Sequence, residues 1–141
     1  MTGGAFSPEV CELVIVRSNR RCERCGLSLE RAHFHHRDAR GMGGTSLDRL
    51  GFASNCLLLH PRCHQWIEDH PRISTSLGHM VVPPDVALEV PVRLWDGWFL
   101  LDDMGGLTSV TVDVPSTSPG ADRFYAPRLS GGEPLASGPG G

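Results

Sequence analysis

The segment His33-Phe34-His35-His36 sets three imidazoles within four residues, and a Cys22-x-x-Cys25 pair precedes it. Further along, His60-x-x-Cys63 is followed at once by His64. Imidazole and thiolate are ligands for borderline divalent ions such as zinc. A neutral imidazole also takes a proton from water near neutral pH. These residue types point to two kinds of chemistry: a closed, thiolate-rich metal site, and a histidine cluster able to combine metal binding with base catalysis.

Cys22-x-x-Cys25 and His60-x-x-Cys63 are separated by 34 residues. Two pairs with two-residue spacers can close a tetrahedron around zinc, and three Cys with one His leave no open position, so the expected zinc is structural. Such a staple supplies folding free energy to a small domain. Cys56 is an alternative fourth ligand, because strand alternation would put 56 and 60 on one face. His60 is preferred as the partner of a turn-borne pair, and a redox Cys-x-x-Cys is the other alternative. Cys11 reads as a small apolar filler.

The elements that must position these groups follow from local signals. Ser7-Pro8-Glu9 is a helix start, with a capping serine, proline in the first turn and an acidic residue for the dipole. Val10, Leu13 and Val14 continue at helical spacing, which predicts a helix from 8 to about 20. Cys22 to Gly26 reads as a tight knuckle. Residues 31–36 read as a short strand, with His33 and His35 on one face and Phe34 and His36 on the other. Residues 37–54 read as a loop, residues 55–60 as a second strand, and the stretch after Pro61 as a short helix ended by Pro71. Beyond it, apolar runs at 79–82, 90–94, 98–101 and 107–112 predict two or three small strands, with residues 102–106 as a hairpin turn. Residues 115–141 are rich in Pro, Gly and Ser, and a disordered tail is expected there. The fold class is small α+β, with one domain over 1–114 that includes a β extension from about residue 72.

The 141-residue chain carries a net charge of −3, so overall charge does not announce a nucleic-acid partner. All 13 basic residues are arginines, and seven of them (17, 20, 21, 24, 31, 37, 40) crowd into residues 17–40. That segment is a candidate phosphate-attracting patch, or else a solvated helix face. No run approaches the roughly 20 apolar residues of a membrane span, and no secretory leader is evident, so a cytoplasmic protein without membrane association is expected. In that compartment the cysteines read as ligands rather than bridges.

The ordered motifs HHRDARGMGG, ASNCLLLHPRCHQWIEDH and GWFLLDDMGG together resemble the HNH endonuclease family, and more narrowly the HNH proteins of actinobacterial phages and prophages. The resemblance covers roughly residues 20–106. It implies a zinc-stapled ββα-metal core with an N-terminal helix and a small C-terminal β extension. It further implies His36 as the general base, Asn55 as the residue fixing the loop that orients that base, and His64 as a ligand of the catalytic metal. His35 stands where the family has a second ligand. His60 stands where the family usually has Cys. Glu68, one helical turn past His64, stands where some members have a further histidine, and is either a ligand or a solvent-facing carboxylate. The catalytic ion would be Mg²⁺, Mn²⁺, Ni²⁺ or Zn²⁺, beside the structural Zn²⁺.

The implied activity is hydrolysis of DNA phosphodiesters. Arg37 and Arg40 are expected to hold flanking phosphates, with Gly41, Gly43 and Gly44 easing close approach of the loop. In a phage setting the packaging terminase is the expected protein partner. His33 shares a face with His35 but has no motif role, and His70 and His79 are expected at the surface or at helix ends. Trp66 and Ile67 are expected in the core. The competing reading is a zinc-stapled nucleic-acid-binding module without catalysis, which would leave His35, His36, Asn55 and His64 without a reason to occur in this order.

Overall fold

A computed structural model of the chain describes residues 6–39 and 48–112. Helix α1 spans Pro8–Ser18, strand β1 His33–His36, β2 Cys56–Leu59, helix α2 Pro61–Asp69, α3 Pro71–Ser76, and strands β3 Val92–Leu94, β4 Gly97–Leu101 and β5 Leu107–Ser109. Short 3-10 turns at Asp48–Gly51, Ala53–Asn55 and Ala87–Glu89 join them. The sheets are a β1–β2 pair and a three-stranded β3–β4–β5 meander, all antiparallel. The compact unit is Met1–Thr111, and of the second unit, Val112–Gly141, only Val112 is described. The tail expected over 115–141 lies outside the described residues.

Helix α1 starts as its sequence dictates. The Ser7 side chain accepts a hydrogen bond from the Val10 amide at 3.2 Å, and Pro8 sits in the first turn, where its missing N–H costs nothing. The helix ends at Ser18 because Asn19 and Arg20 take positive φ of 54° and 59°. The knuckle follows. The Cys22 amide bonds to the Leu27 carbonyl at 2.9 Å, and Gly26, at φ 82°, bonds to the Cys22 carbonyl at 2.8 Å. A Cβ at Gly26 would fall 2.7 Å from the Trp95 ring, so both backbone and packing require glycine there.

The β1–β2 pair lies between the two apolar clusters of the described residues. Its register sets His33 opposite Leu59, Phe34 opposite Leu58, His35 opposite Leu57 and His36 opposite Cys56. Side chains alternate between faces, so this register gives the sheet two different sides. Leu57 and Leu59 pack with Ile67 and Cys63 of α2 and with Val92, Leu94 and Leu101 of the meander. Cys56, Leu58 and Phe34 pack with Phe6 and Val14 beside α1. β2 is buried on both faces, which is why it reads as a continuous apolar run.

Four expectations change. Helix α3 begins at Pro71, where only a helix end was expected, because proline that stops α2 also suits the first turn of a new helix. Residues 79–82 form no strand. His79 is fully buried, not at the surface. The arginine segment is not one surface patch: Arg17 and Arg37 are interior. Arg17 makes a two-pronged pair with Glu23 at 2.7 and 2.8 Å and also donates to the Ala53 and Cys56 carbonyls. Glu23 in turn accepts the Leu58 amide at 2.9 Å, so this pair ties α1 and the knuckle to β2.

Candidate functional site

Cys22, Cys25, His60 and Cys63 come together with their ligand atoms all within 4.8 Å of one another. Zinc bonded to sulfur at about 2.3 Å and to nitrogen at about 2.1 Å in a tetrahedron separates its ligands by roughly 3.5–3.8 Å. The Cys25 Sγ to His60 Nδ1 distance of 3.3 Å is close to that spacing. His60 Nε2 donates to the Ser28 carbonyl at 3.1 Å, which fixes the tautomer and leaves Nδ1 for an ion. Burial opposes ionisation of Cys22, yet hydrogen bonds from Cys25 and Cys63 hold its thiol well below the usual range. Beside that thiolate, Cys25 and Cys63 are both pushed up. All three sulfurs could ionise this close together only with a cation between them, and the donor set fits zinc.

His60, not Cys56, is therefore the fourth member. The chain leaves the strand at Leu59, so the strand parity that would align 56 with 60 no longer applies. Cys56 packs in the α1-side core. Arg24 lies over the Trp66 ring at 4.2 Å and points a guanidinium N–H at Cys63 Sγ, 3.5 Å away, which favours the charged form of the cluster.

A second cluster lies on the α2 side of β1. The His35 and His64 rings are 5.0 Å apart, and the His33 and His64 rings 5.1 Å, nearly perpendicular. His33 Nδ1 stands 2.9 Å from His64 Nδ1. Glu68 Oε2 stands 3.2 Å from His64 Nε2. His35 is buried, and its Nε2 donates to the His79 carbonyl at 2.8 Å. Burial lowers the His35 pKa to about 4, and burial also lowers that of His64, so both rings are neutral, with lone pairs, near pH 7. Among the described residues, the group of three or more Cys, His, Asp or Glu side chains whose ligand atoms all lie within 4.8 Å of one another is Cys22, Cys25, His60 and Cys63, and this histidine cluster is not one.

His36 is not in this cluster. The pleat turns it to the other face, where its half-buried ring stacks on Phe6 at a centroid distance of 4.0 Å. Asn55 sits where β1 ends. Its Oδ1 accepts the Asp38 amide at 2.7 Å, its Nδ2 donates to the Asp38 and Leu50 carbonyls at 3.0 and 2.9 Å, and its own carbonyl accepts the Arg37 amide. The backbone leaving His36 is thus clamped from one residue. A small cavity of about 40 Å³ lies beside this clamp, against Asp38, Ser54 and Asp103.

Arg37 corrects the expectation of a phosphate contact. Its guanidinium is buried and donates to the carbonyls of Gly78, Ser54, Ala87 and Val90 at 2.7–3.1 Å. The side chain follows the strand inward and ties β1 to the C-terminal extension. Arg40 and the glycines at 41, 43 and 44 lie outside the described residues. His33 was given no role from motif order, although its shared parity with His35 was the signal that could have placed it beside His64. Among the described residues no helix is long and apolar enough to cross a membrane. Comparison with family models, curated proteins and solved structures gave no match to the chain.

Proposed function

We propose that this chain is a metal-dependent endonuclease of the HNH type, hydrolysing DNA phosphodiester bonds on a zinc-stapled ββα core. The observation that carries the reading is the meeting of His35 from β1 with His64 from α2, rings 5.0 Å apart, directly beside a strand exit clamped by Asn55. A divalent ion bound there would neutralise a phosphate oxygen and stabilise the departing alkoxide. Within the chain, His36 is the base that takes a proton from the attacking water, and Asn55 keeps the backbone after it rigid. His35 and His36 are adjacent in an extended strand, so one side chain serves the ion and the other the water without competing. A phage setting with a terminase partner is the context the motif resemblance suggests.

The second reading is a zinc-stapled nucleic-acid-binding module without catalysis. Stacking of His36 on Phe6, on the face opposite His64, favours it, because that contact holds the ring away from the metal side. Supercoiled plasmid incubated with the protein and Mg²⁺, Mn²⁺ or Ni²⁺ separates the two. Nicking by the wild type that falls at least a hundredfold in His36→Ala is expected. Binding without nicking, or equal nicking by both proteins, rejects the catalytic reading.

A further inference from the structure

Trp95 stands at the tip of the β3–β4 hairpin and is 47% exposed. Two contacts hold it. Its amide donates to the Glu23 carbonyl at 3.0 Å, and its ring lies on Gly26, where an added Cβ would meet Cδ2, Cγ and Cε3 at 2.7, 2.8 and 3.1 Å. One face of the indole is therefore packed on the knuckle, and the exposure belongs to the other. Arg21, also exposed, donates from Nη1 to the Gly26 carbonyl at 2.9 Å, and its guanidinium carbon stands 5.8 Å from the ring centroid. At that distance it flanks the ring without covering it. Trp66 shows the contrast: Arg24 lies over it at 4.2 Å and His70 stacks on it at 4.1 Å.

Size and charge select the occupant of that open face. Its apolar surface is one indole ring with the neighbouring Leu27, 57% exposed. That is far below the roughly 800 Å² per partner of a stable protein interface, but it matches one nucleobase. Arg20, Arg21 and Arg31 are exposed on the arms of the knuckle, against Glu30 and Asp96, and Arg93 offsets the charge of Asp96. The surroundings therefore favour an anion. We propose that Trp95 is a stacking platform for one unpaired nucleobase, with Arg21 on the adjoining phosphate, so that the chain prefers DNA with an unpaired base over fully paired duplex. The inference deepens the nuclease reading and rests on its claim that the substrate is DNA. Bases inside a duplex are stacked on both faces and offer none to the indole, whereas an unpaired base of any type has a free π-face.

The test uses the full chain with zinc in its thiolate site and no other divalent ion, so that nothing is cut. Labelled oligothymidylate and a duplex of equal length are titrated with protein, and the Trp95 indole resonances are followed by NMR. Oligothymidylate should move those resonances upfield, and duplex should not. Trp95→Leu, which still covers Gly26 but has no π-face, should bind the single strand at least tenfold more weakly and the duplex as before. Trp95→Phe should stay within about threefold of the wild type. Zinc content reports the fold of each variant, and the wild-type ring shift decides independently of them. An unshifted Trp95 ring, or Trp95→Leu that binds the single strand as the wild type does, overturns the assignment. A ring that shifts with protein concentration but not with oligonucleotide makes this face a contact between copies, and overturns it too. Stacking by a protein that leaves plasmid intact would uphold the platform and reject the nuclease. Nicking with an unshifted Trp95 would reject the platform and uphold the nuclease.

Discussion

His79 shows how a single buried imidazole couples this fold to pH. It is fully buried, and its Nε2 donates to the Arg93 carbonyl at 2.8 Å while its own carbonyl holds His35. Burial lowers its pKa to about 3 against an ordinary value near 6.5. The unfolded chain therefore takes up the proton first, and His79 removes stability as pH falls below about 6.5, at about 1.4 kcal/mol per pH unit. Above 6.5 its contribution is constant. Urea unfolding of the wild type and His79→Gln at pH 7 and pH 5 tests this. The stability of wild type relative to variant should fall by about 2 kcal/mol between the two. An unchanged difference would mean that His79 is not held neutral inside the fold.

At the scale of elements, the exit of β1 matters most. Asn55 makes three side-chain hydrogen bonds there, to Asp38 twice and to Leu50 once. Asn55→Ala would strand a buried amide and two carbonyls, a loss of about 2–3 kcal/mol. Under the proposed nuclease reading, the loss of plasmid nicking should exceed what that stability loss explains, because the freed backbone is the one that carries His36. A variant that loses stability but nicks at the wild-type rate would confine Asn55 to a structural role. The chain announced this clamp only in part. An asparagine nine residues before His64 was legible, and so was the alternation of His33, Phe34, His35 and His36. The inward course of Arg37 was not, since the charge of a loop arginine says nothing about the four carbonyls that gather around it from Ser54, Gly78, Ala87 and Val90.

For the whole molecule, the thiolate cluster and the apolar core are one structure. Cys22 and Cys63 belong to the same buried group as Leu57, Leu59, Ile67, Val92, Leu94 and Leu101. Removing a zinc held by these four residues would leave crowded thiols inside that core rather than at its edge. Chelation should therefore unfold the protein cooperatively, with loss of far-ultraviolet circular dichroism, and Cys22→Ala should do the same without chelator. His64→Ala should keep its zinc and its fold. A chelated chain that retains a wild-type melting curve would show that the core stands without its staple. Local chemistry written in the sequence determined the start of α1, the glycine of the knuckle, the two Cys/His pairs and the faces of β1, because caps, turns and strand parity act over a few residues. Only the tertiary structure decided that His60 and not Cys56 completes the cluster, that His33 meets His64 while His36 meets Phe6, and that Arg37 and His79 are interior. Those outcomes depend on which side of the β1–β2 pair each helix covers, and that is set by packing between residues far apart in the chain.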